Sequence, residues 1–151
     1  MCRIGVISDT HRLLRPEAMS ALEGVDHIIH AGDIGSPAVI EEIRRIAPVT
    51  AVRGNVDVAE WAREFPETAV VEFGRILIYV IHNLLSFDLD PQAADIAVVV
   101  CGHSHTPKQE THNGVLYFNP GSAGPHRFHR PVSMGYLTID SGRVYGEIIT
   151  L

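Results

Sequence analysis

The first half of the chain alternates short apolar runs with amphipathic segments. The apolar runs predict β-strands at Arg3–Ser8, Asp26–His30 and Val49–Val52. The segments between them predict helices: Pro16–Leu22 begins with a proline, and Ser36-Pro37 caps a helix that runs through Ala47. A strand–helix–strand–helix–strand order favours right-handed crossovers and parallel strands that are buried on both faces.

The second half changes to a pattern of paired strands. Turn residues at Gly74, Asn113-Gly114 and Ser141-Gly142 each separate two strand-like runs, which predicts hairpins and mainly antiparallel pairing. A further buried strand is predicted at Ile96–Cys101. Two sheets packed face to face, with helices outside, would use all these elements. With no linker or repeat in the sequence, we expect a single domain over residues 1–151.

Composition narrows the class of protein. The chain has 46% hydrophobic and 20% charged residues, which is typical of a globular domain. Its net charge of −6 argues against a nucleic-acid partner. No stretch approaches the roughly 18 to 20 apolar residues of a membrane span, and the short first apolar run is unlike a signal peptide. Cys2 and Cys101 show no pairing pattern, which favours reduced thiols and a cytoplasmic location.

Side chains that can bind metals follow five of the apolar runs, at the point where each run ends. They are Asp9, His11, Asp33, Asn55, His82, His103 and His105. Because strand ends in an open α/β sheet gather at one edge, where ligands bind, we expect these side chains to lie close together. Seven such donors suit two divalent cations.

The types of donor restrict the metal. Carboxylates with imidazoles suit Mn, Fe, Ni, Co or Zn, with Mn the first expectation. The set includes no cysteine, which argues against a structural zinc site of the thiolate type. Asp33 is the natural bridging ligand, because one carboxylate can face two ions. Two ions about 3.5–4 Å apart lower the pKa of a bridging water and align a phosphate for in-line attack.

Six motifs in order carry a resemblance to a known family. They are Ser8-Asp9-Thr10-His11, Ala31-Gly32-Asp33, Arg53-Gly54-Asn55-Val56-Asp57, His82, Gly102-His103-Ser104-His105-Thr106-Pro107 and Asn119-Pro120-Gly121-Ser122. The chain resembles the calcineurin-like metallophosphoesterases, in the small bacterial and archaeal phosphodiesterase branch that also contains the retromer scaffold subunit. The resemblance implies a four-layer α-β-β-α sandwich of two mixed sheets with flanking helices.

The resemblance also implies an activity and a ligand set. The activity is hydrolysis of phosphodiesters, with phosphomonoesters as a second class, by attack of a metal-bridging hydroxide. Asp33, Asn55 and His82 would act at the catalytic centre. By position, the first metal would be held by Asp9, His11 and His105, the second by Asn55, His82 and His103, and Asp33 would bridge them. The expected partner is a small phosphate ester, and a homo-oligomer is left open.

Two positions depart from the family pattern. Many relatives carry a histidine after the Gly-Asn pair, where it assists the leaving group, but this chain has Val56. General acid catalysis of about 10²–10⁴-fold is thereby forgone, which favours esters with good leaving groups. The second departure is Asn83, where the family usually has glycine after the histidine ligand. We expect the turn to survive, because asparagine tolerates positive φ.

Several other residues have both a functional and a non-functional interpretation. His126, Arg127, His129 and Arg130 form a basic loop that either grips the substrate or is solvated, and Arg12 has the same two interpretations. Of this group, Arg12 and Arg127 are the predicted substrate contacts, with Asn55. His30 is expected behind the ligands or in the core, and His27 and His112 at the surface. Trp61 and Phe65 either form the floor of a base- or aryl-binding pocket, or pack against a helix or at a subunit interface. Two other functions stay open: a non-catalytic scaffold, and a phosphate or nucleotide sensor.

Overall fold

The computed structural model describes residues 1–127 and 129–151, and ten β-strands of this part form two five-stranded sheets. The strands are β1 (Cys2–Ile7), β2 (His27–His30), β3 (Val49–Ala51), β4 (Thr68–Phe73), β5 (Ile76–Ile81), β6 (Val98–Val100), β7 (Lys108–His112), β8 (Val115–Asn119), β9 (Ser133–Asp140) and β10 (Arg143–Thr150). The first sheet has the order β10-β9-β1-β2-β3 and the second β4-β5-β6-β8-β7.

Both sheets are mixed, which confirms the predicted fold class. In the first, β1, β2 and β3 run parallel as predicted, and β9 and β10 add antiparallel strands at one side. In the second, the predicted hairpins β4–β5 and β7–β8 are antiparallel, but the central pairs β5–β6 and β6–β8 are parallel. The prediction of mainly antiparallel pairing therefore fails at the sheet centre, because long connections rather than tight turns lead into and out of β6.

The helices α1 (Pro16–Leu22) and α2 (Pro37–Arg44) are those predicted, although α2 is shorter. Ser36 caps α2 by accepting a hydrogen bond from the amide of Ala38. At the other end the amide of Arg45 bonds to Glu42, so the last turn tightens before Pro48. Two 3₁₀ helices, Glu60–Glu64 and Leu84–Ser86, were not predicted.

Successive side chains along each strand point to opposite faces of the sheet, and this alternation divides the core into two layers. On β1, Ile4 and Val6 face the second sheet, where they meet residues of β5 and β6. The opposite face of β1 carries Ile7 and Gly5, and it packs against α1. A Cβ on Gly5 would lie 2.3 Å from the side chain of Leu22, so the helix sits directly on the strand backbone. The two α-helices thus cover the outer face of the first sheet.

The outer face of the second sheet has a thinner cover. Within the described residues no α-helix lies there, and Tyr79, Val99 and Ile96 pack instead against Phe87 of the segment that follows Leu84–Ser86. The fourth layer of the sandwich is therefore a 3₁₀ turn and loop over part of the sheet. None of the described helices is long and apolar enough to cross a membrane.

Candidate metal centre

Short loops after five strands meet at one edge of the two sheets. The loop after β1 pairs with the loop after β2, where the amides of Asp9 and His11 donate to the carbonyls of Gly32 (2.9 Å) and Asp33 (3.0 Å). Between the sheets, the amide of His103 donates to Asp9 Oδ2 at 3.1 Å. These bonds place side chains from distant parts of the sequence in one cluster.

The backbone is unusual at most of the predicted ligands. The predicted ligands with positive φ are Asp9 (55°), His11 (45°), Asp33 (55°), His103 (72°) and His105 (60°). This left-handed conformation is uncommon for residues other than glycine, and sparsely populated backbone conformations cost on the order of 1–3 kcal/mol each. The strain is localised where the chain must turn sharply off a strand end and aim a side chain into the cluster.

One half of the cluster contains Asp9, His11 and His105, which have ligand atoms within 4.8 Å of one another. His105 Nε2 lies 3.3 Å from Asp9 Oδ1 and 3.4 Å from His11 Nε2. Burial lowers the pKa of His11, with Arg127 and His105 acting in the same direction and Asp33 and Asp9 opposing it. A neutral imidazole is the form that binds a metal.

The other half contains Asp33, His82 and His103, and Asn55 joins them. Asn55 Oδ1 lies 3.1 Å from His103 Nδ1, and the rings of His82 and His103 meet edge to face. Asp33 Oδ1 accepts a hydrogen bond from the amide of Val56, which leaves Oδ2 facing inward. That oxygen lies 3.2 Å from His82 Nε2 and 3.6 Å from His11 Nε2, so it faces both halves.

The protonation of His82 shows that the cluster stabilises positive charge. Its Nδ1 lies 2.7 Å from the carbonyl of Ala31 and donates to it, so Nε2 of the neutral ring carries no proton. Burial disfavours the imidazolium, but Asp33 Oδ2, 3.2 Å from Nε2, and the charges of Asp9 and Asp33 outweigh burial and raise the pKa of His82. The same contacts with His82 outweigh burial and lower the pKa of Asp33. The site thus favours a positive charge between these groups.

The cluster fits divalent cations. Among the described residues, Asp9 Oδ1 and His82 Nε2 are buried without a hydrogen-bond partner, and they lie 3.9 Å apart. A buried carboxylate oxygen and a bare imidazole nitrogen that converge are costly unless a cation or proton lies between them. Carboxylate, imidazole and amide oxygen are also the donors that first-row divalent metals accept.

Two residues that were named only as members of sequence motifs, with no role assigned to them, hold the cluster in place. The carboxylate of Asp57 accepts three amide hydrogen bonds, from Ile34, Gly35 and Gly54, and so joins the loops of Asp33 and Asn55. Its signal in the sequence was its membership of the motif Arg53-Gly54-Asn55-Val56-Asp57. Ser8 Oγ donates to Asp9 Oδ2 at 2.7 Å, which fixes that carboxylate from behind.

Two glycines allow the loops to approach. A Cβ on Gly54 would lie 2.1 Å from Asp33 Oδ1, and a Cβ on Gly102 would lie 2.0 Å from Ser8 Oγ and 2.7 Å from Asp9 Oδ2. No side chain fits at either position without moving the carboxylates. The glycine that precedes Asn55 and the one that precedes His103 are thus required by the spacing of the cluster.

The remaining predicted residues fall around the cluster. Val56 is 45% exposed and lines a cavity of about 210 Å³ with His11 and Arg12. Arg12 is exposed and donates to the carbonyl of Gly35. Arg127 is also exposed, and its charge acts on His11. Asn83 has φ −109° and ψ 112°, so the expected positive φ does not occur, because the chain leaves β5 in an extended conformation.

The other histidines and aromatic residues lie as the more conservative interpretations predicted. His30 is fully buried, bonds to Thr10 and to the amide of Gly32, and has a pKa lowered by burial to about 4. His112 is exposed, and His27 is half-buried beside Thr50. Trp61 and Phe65 contact each other edge to face and pack on the helical side of the first sheet.

Comparison with known proteins identifies the family. The model of the calcineurin-like phosphoesterase superfamily domain matches residues 2–142. The chain belongs to this superfamily. A probable metallophosphoesterase of Methanothermobacter thermautotrophicus is 35% identical over 97% of this chain and 91% of its own length. A phosphodiesterase of Methanocaldococcus jannaschii is 31% identical over 79% of this chain and 82% of its own length.

A solved structure shows that the fold is shared more widely. Vps29 of Chaetomium thermophilum superposes with a TM-score of 0.79 at 21% identity, over 99% of this chain and 98% of that one. The predicted resemblance is therefore confirmed, and this member of the superfamily has two groups of side chains suited to metal ions.

Proposed function

We propose that the chain is a phosphodiesterase that uses two divalent cations, with Mn²⁺ as the expected metal. Asp9, His11 and His105 would hold one cation, and Asn55, His82 and His103 the other. The observation that carries this proposal is the position of Asp33 Oδ2, which lies 3.6 Å from a nitrogen of the first group and 3.2 Å from a nitrogen of the second. Nickel, iron, cobalt and zinc suit the same donors.

When bound, such cations supply the positive charge that acidifies water and polarises a phosphate ester. The protein's own contribution is to hold the donors in a fixed arrangement. Ser8 and the amide of His103 restrain Asp9 Oδ2, while the carbonyl of Ala31 fixes the tautomer of His82. Preorganised donors of this kind need little rearrangement during reaction.

The side chains around the cluster favour a diester with a good leaving group. Asn55 is exposed and can contact a phosphate oxygen, and Arg12 and Arg127 would add positive charge on the side of His11. Val56 lines the same side and has no proton to give, so a poor leaving group would depart unassisted. The homologue named a phosphodiesterase supports the same substrate class.

The test is turnover that depends on metal and on Asp33. The protein is stripped with chelator, and bis(p-nitrophenyl) phosphate and p-nitrophenyl phosphate are assayed with Mn²⁺ added back. We expect faster turnover of the diester, and its loss in Asp33→Asn. Asp88→Asn, at an exposed loop position, serves as the matched control and keeps wild-type turnover. A folded protein that binds Mn²⁺ but hydrolyses neither ester would overturn the proposal and favour a scaffold or a sensor.

A further inference from the structure

A cavity of about 390 Å³ opens beside His103 on the outer face of the second sheet, and we call it the His103 cavity. Its apolar surface comes from Leu84, Leu85, Cys101 and Tyr117. The volume lies within the range of about 300–1,000 Å³ that small-molecule sites have. His103 belongs to its lining, so the cavity is continuous with the candidate metal centre.

The fold explains why this cavity is open. The chain after β5 forms only the 3₁₀ helix Leu84–Ser86 instead of an α-helix. Asn83 caps that turn, because its Oδ1 accepts a hydrogen bond from the amide of Leu85 at 3.1 Å. The cap holds two leucines at the rim, where Leu84 is 39% and Leu85 93% exposed. Asn83 also lines a second cavity of about 340 Å³ beside His82 and Asn55.

The charged residues of the His103 cavity neutralise one another. Lys108, Glu110 and His112 alternate along β7 and therefore share one face of the strand. Glu110 accepts from both neighbours, at 3.1 Å from Lys108 Nζ and 3.0 Å from His112 Nε2. Such a lining suits an uncharged group better than a second phosphate.

The other side of the cluster is different. The cavity beside His11 has about 210 Å³, roughly half the volume, and Arg12 contributes a cationic side chain to it. A phosphodiester that sits over the cluster would therefore meet unequal surroundings on its two sides. The larger and more apolar surroundings are those beside His103.

We propose that the His103 cavity binds an aromatic or nucleobase arm of the phosphodiester substrate. This inference rests on the proposed function, because the phosphate of that substrate must lie at the metal cluster. The apolar walls, the volume and the continuity through His103 select a flat, uncharged organic group. Affinity for this arm comes from burying its apolar surface against Leu84, Leu85 and Tyr117.

The test uses two stable anions that share a headgroup. Phenylphosphonate and methylphosphonate are titrated into Mn²⁺-loaded protein by calorimetry, so that no turnover is needed. We expect phenylphosphonate to bind roughly tenfold more tightly, because only its ring reaches the apolar walls. In Leu84→Ala/Leu85→Ala the ratio should fall to about threefold or less. Leu85→Ala alone, at an almost fully exposed position, should lower the ratio without endangering the fold.

Leu89→Ala is the matched control, since Leu89 is exposed in the same segment and does not line the cavity. It should keep the full tenfold ratio. If methylphosphonate binds in a manner that depends on Mn²⁺ but phenylphosphonate binds no tighter, the cavity proposal is overturned and the metal site stands. The same holds if the leucine variants keep the wild-type ratio. If neither anion binds the loaded protein, the proposed function fails as well.

Discussion

The two halves of the candidate site differ in how far the protein encloses them. In one half Asp9 and His105 are buried and His11 is partly buried, whereas in the other His82 is buried but His103 and Asn55 are exposed. The open half also borders the cavities of about 390 and 340 Å³, while the enclosed half borders the cavity of about 210 Å³. If two cations bind as proposed, we expect the enclosed half to retain its cation and the open half to exchange its cation and contact the substrate.

The backbone explains this difference. The ligands of the enclosed half sit on loops that are tied to the sheet from behind. Thr10, between two of them, bonds to buried His30 and to the carbonyl of Ile34. The open half depends on Asn55 and His103, whose side chains bond to each other across the rim. A group that is packed from behind keeps its geometry without a metal, and a group on a rim depends more on the metal itself.

The largest expected effect comes from removing one histidine ligand from each half in turn. His105→Ala should remove the enclosed cation and lower diester turnover by roughly 10²–10³-fold, the size expected for the loss of a principal electrostatic group. His103→Ala should lower turnover similarly but leave one tightly bound metal. Metal content after gel filtration checks this, with exposed His112→Ala as the control. Equal metal loss in both variants would remove the distinction between the halves.

The next effect concerns His30, which holds the loop of the enclosed half through its bond to Thr10. In the folded protein the pKa of His30 is about 4 instead of 6.5, so between these values the unfolded chain binds more protons. The free energy of unfolding should therefore fall as the pH drops from 6.5 to 4, by about 3 kcal/mol from this group. Denaturant unfolding of metal-free protein measures it. His30→Asn should be less stable at pH 7 and show a flatter pH dependence; parallel curves for the two proteins would contradict the assignment.

Asp57 should matter to both halves, because its carboxylate joins the loops of Asp33 and Asn55. Asp57→Asn keeps the shape but replaces one acceptor oxygen with a donor. We expect Mn²⁺ affinity to fall by about 10–100-fold, as for other groups that orient metal ligands. The loss should be larger for the open half. Unchanged affinity in a folded variant would show that the loops hold their positions without Asp57.

The smallest effect is expected at Asn83. Asn83→Gly removes the cap of the turn at Leu84–Ser86 and should weaken the preference for phenylphosphonate by about two- to threefold, with little change for methylphosphonate. Asn83→Asp retains an acceptor oxygen and should preserve the preference. A glycine variant with the full preference would show that the leucines are held by other contacts.

Local pattern was enough to predict much of this molecule. The strand ends that carry Asp9, Asp33 and His82 could be read from the apolar runs, and the hairpin turns from Asn113-Gly114 and Ser141-Gly142, which all adopt positive φ. The central pairing of β6 could not be predicted, because a parallel pair depends on which distant strands meet. The same limit hid the role of Asp57, whose three hydrogen-bond donors come from two loops. It also hid the His103 cavity, which exists because no α-helix in the described chain covers that face.

The most direct test of the account is a calorimetric titration of Mn²⁺ into the stripped protein. We predict two sites per chain with unequal affinity, the tighter one lost in His105→Ala and the weaker one in His103→Ala. Binding should also release protons at pH values where His82 is protonated, because the metal displaces that proton, and the raised pKa of His82 extends this range upward. A single site, or two sites that both survive these substitutions, would contradict a dinuclear centre built from these residues.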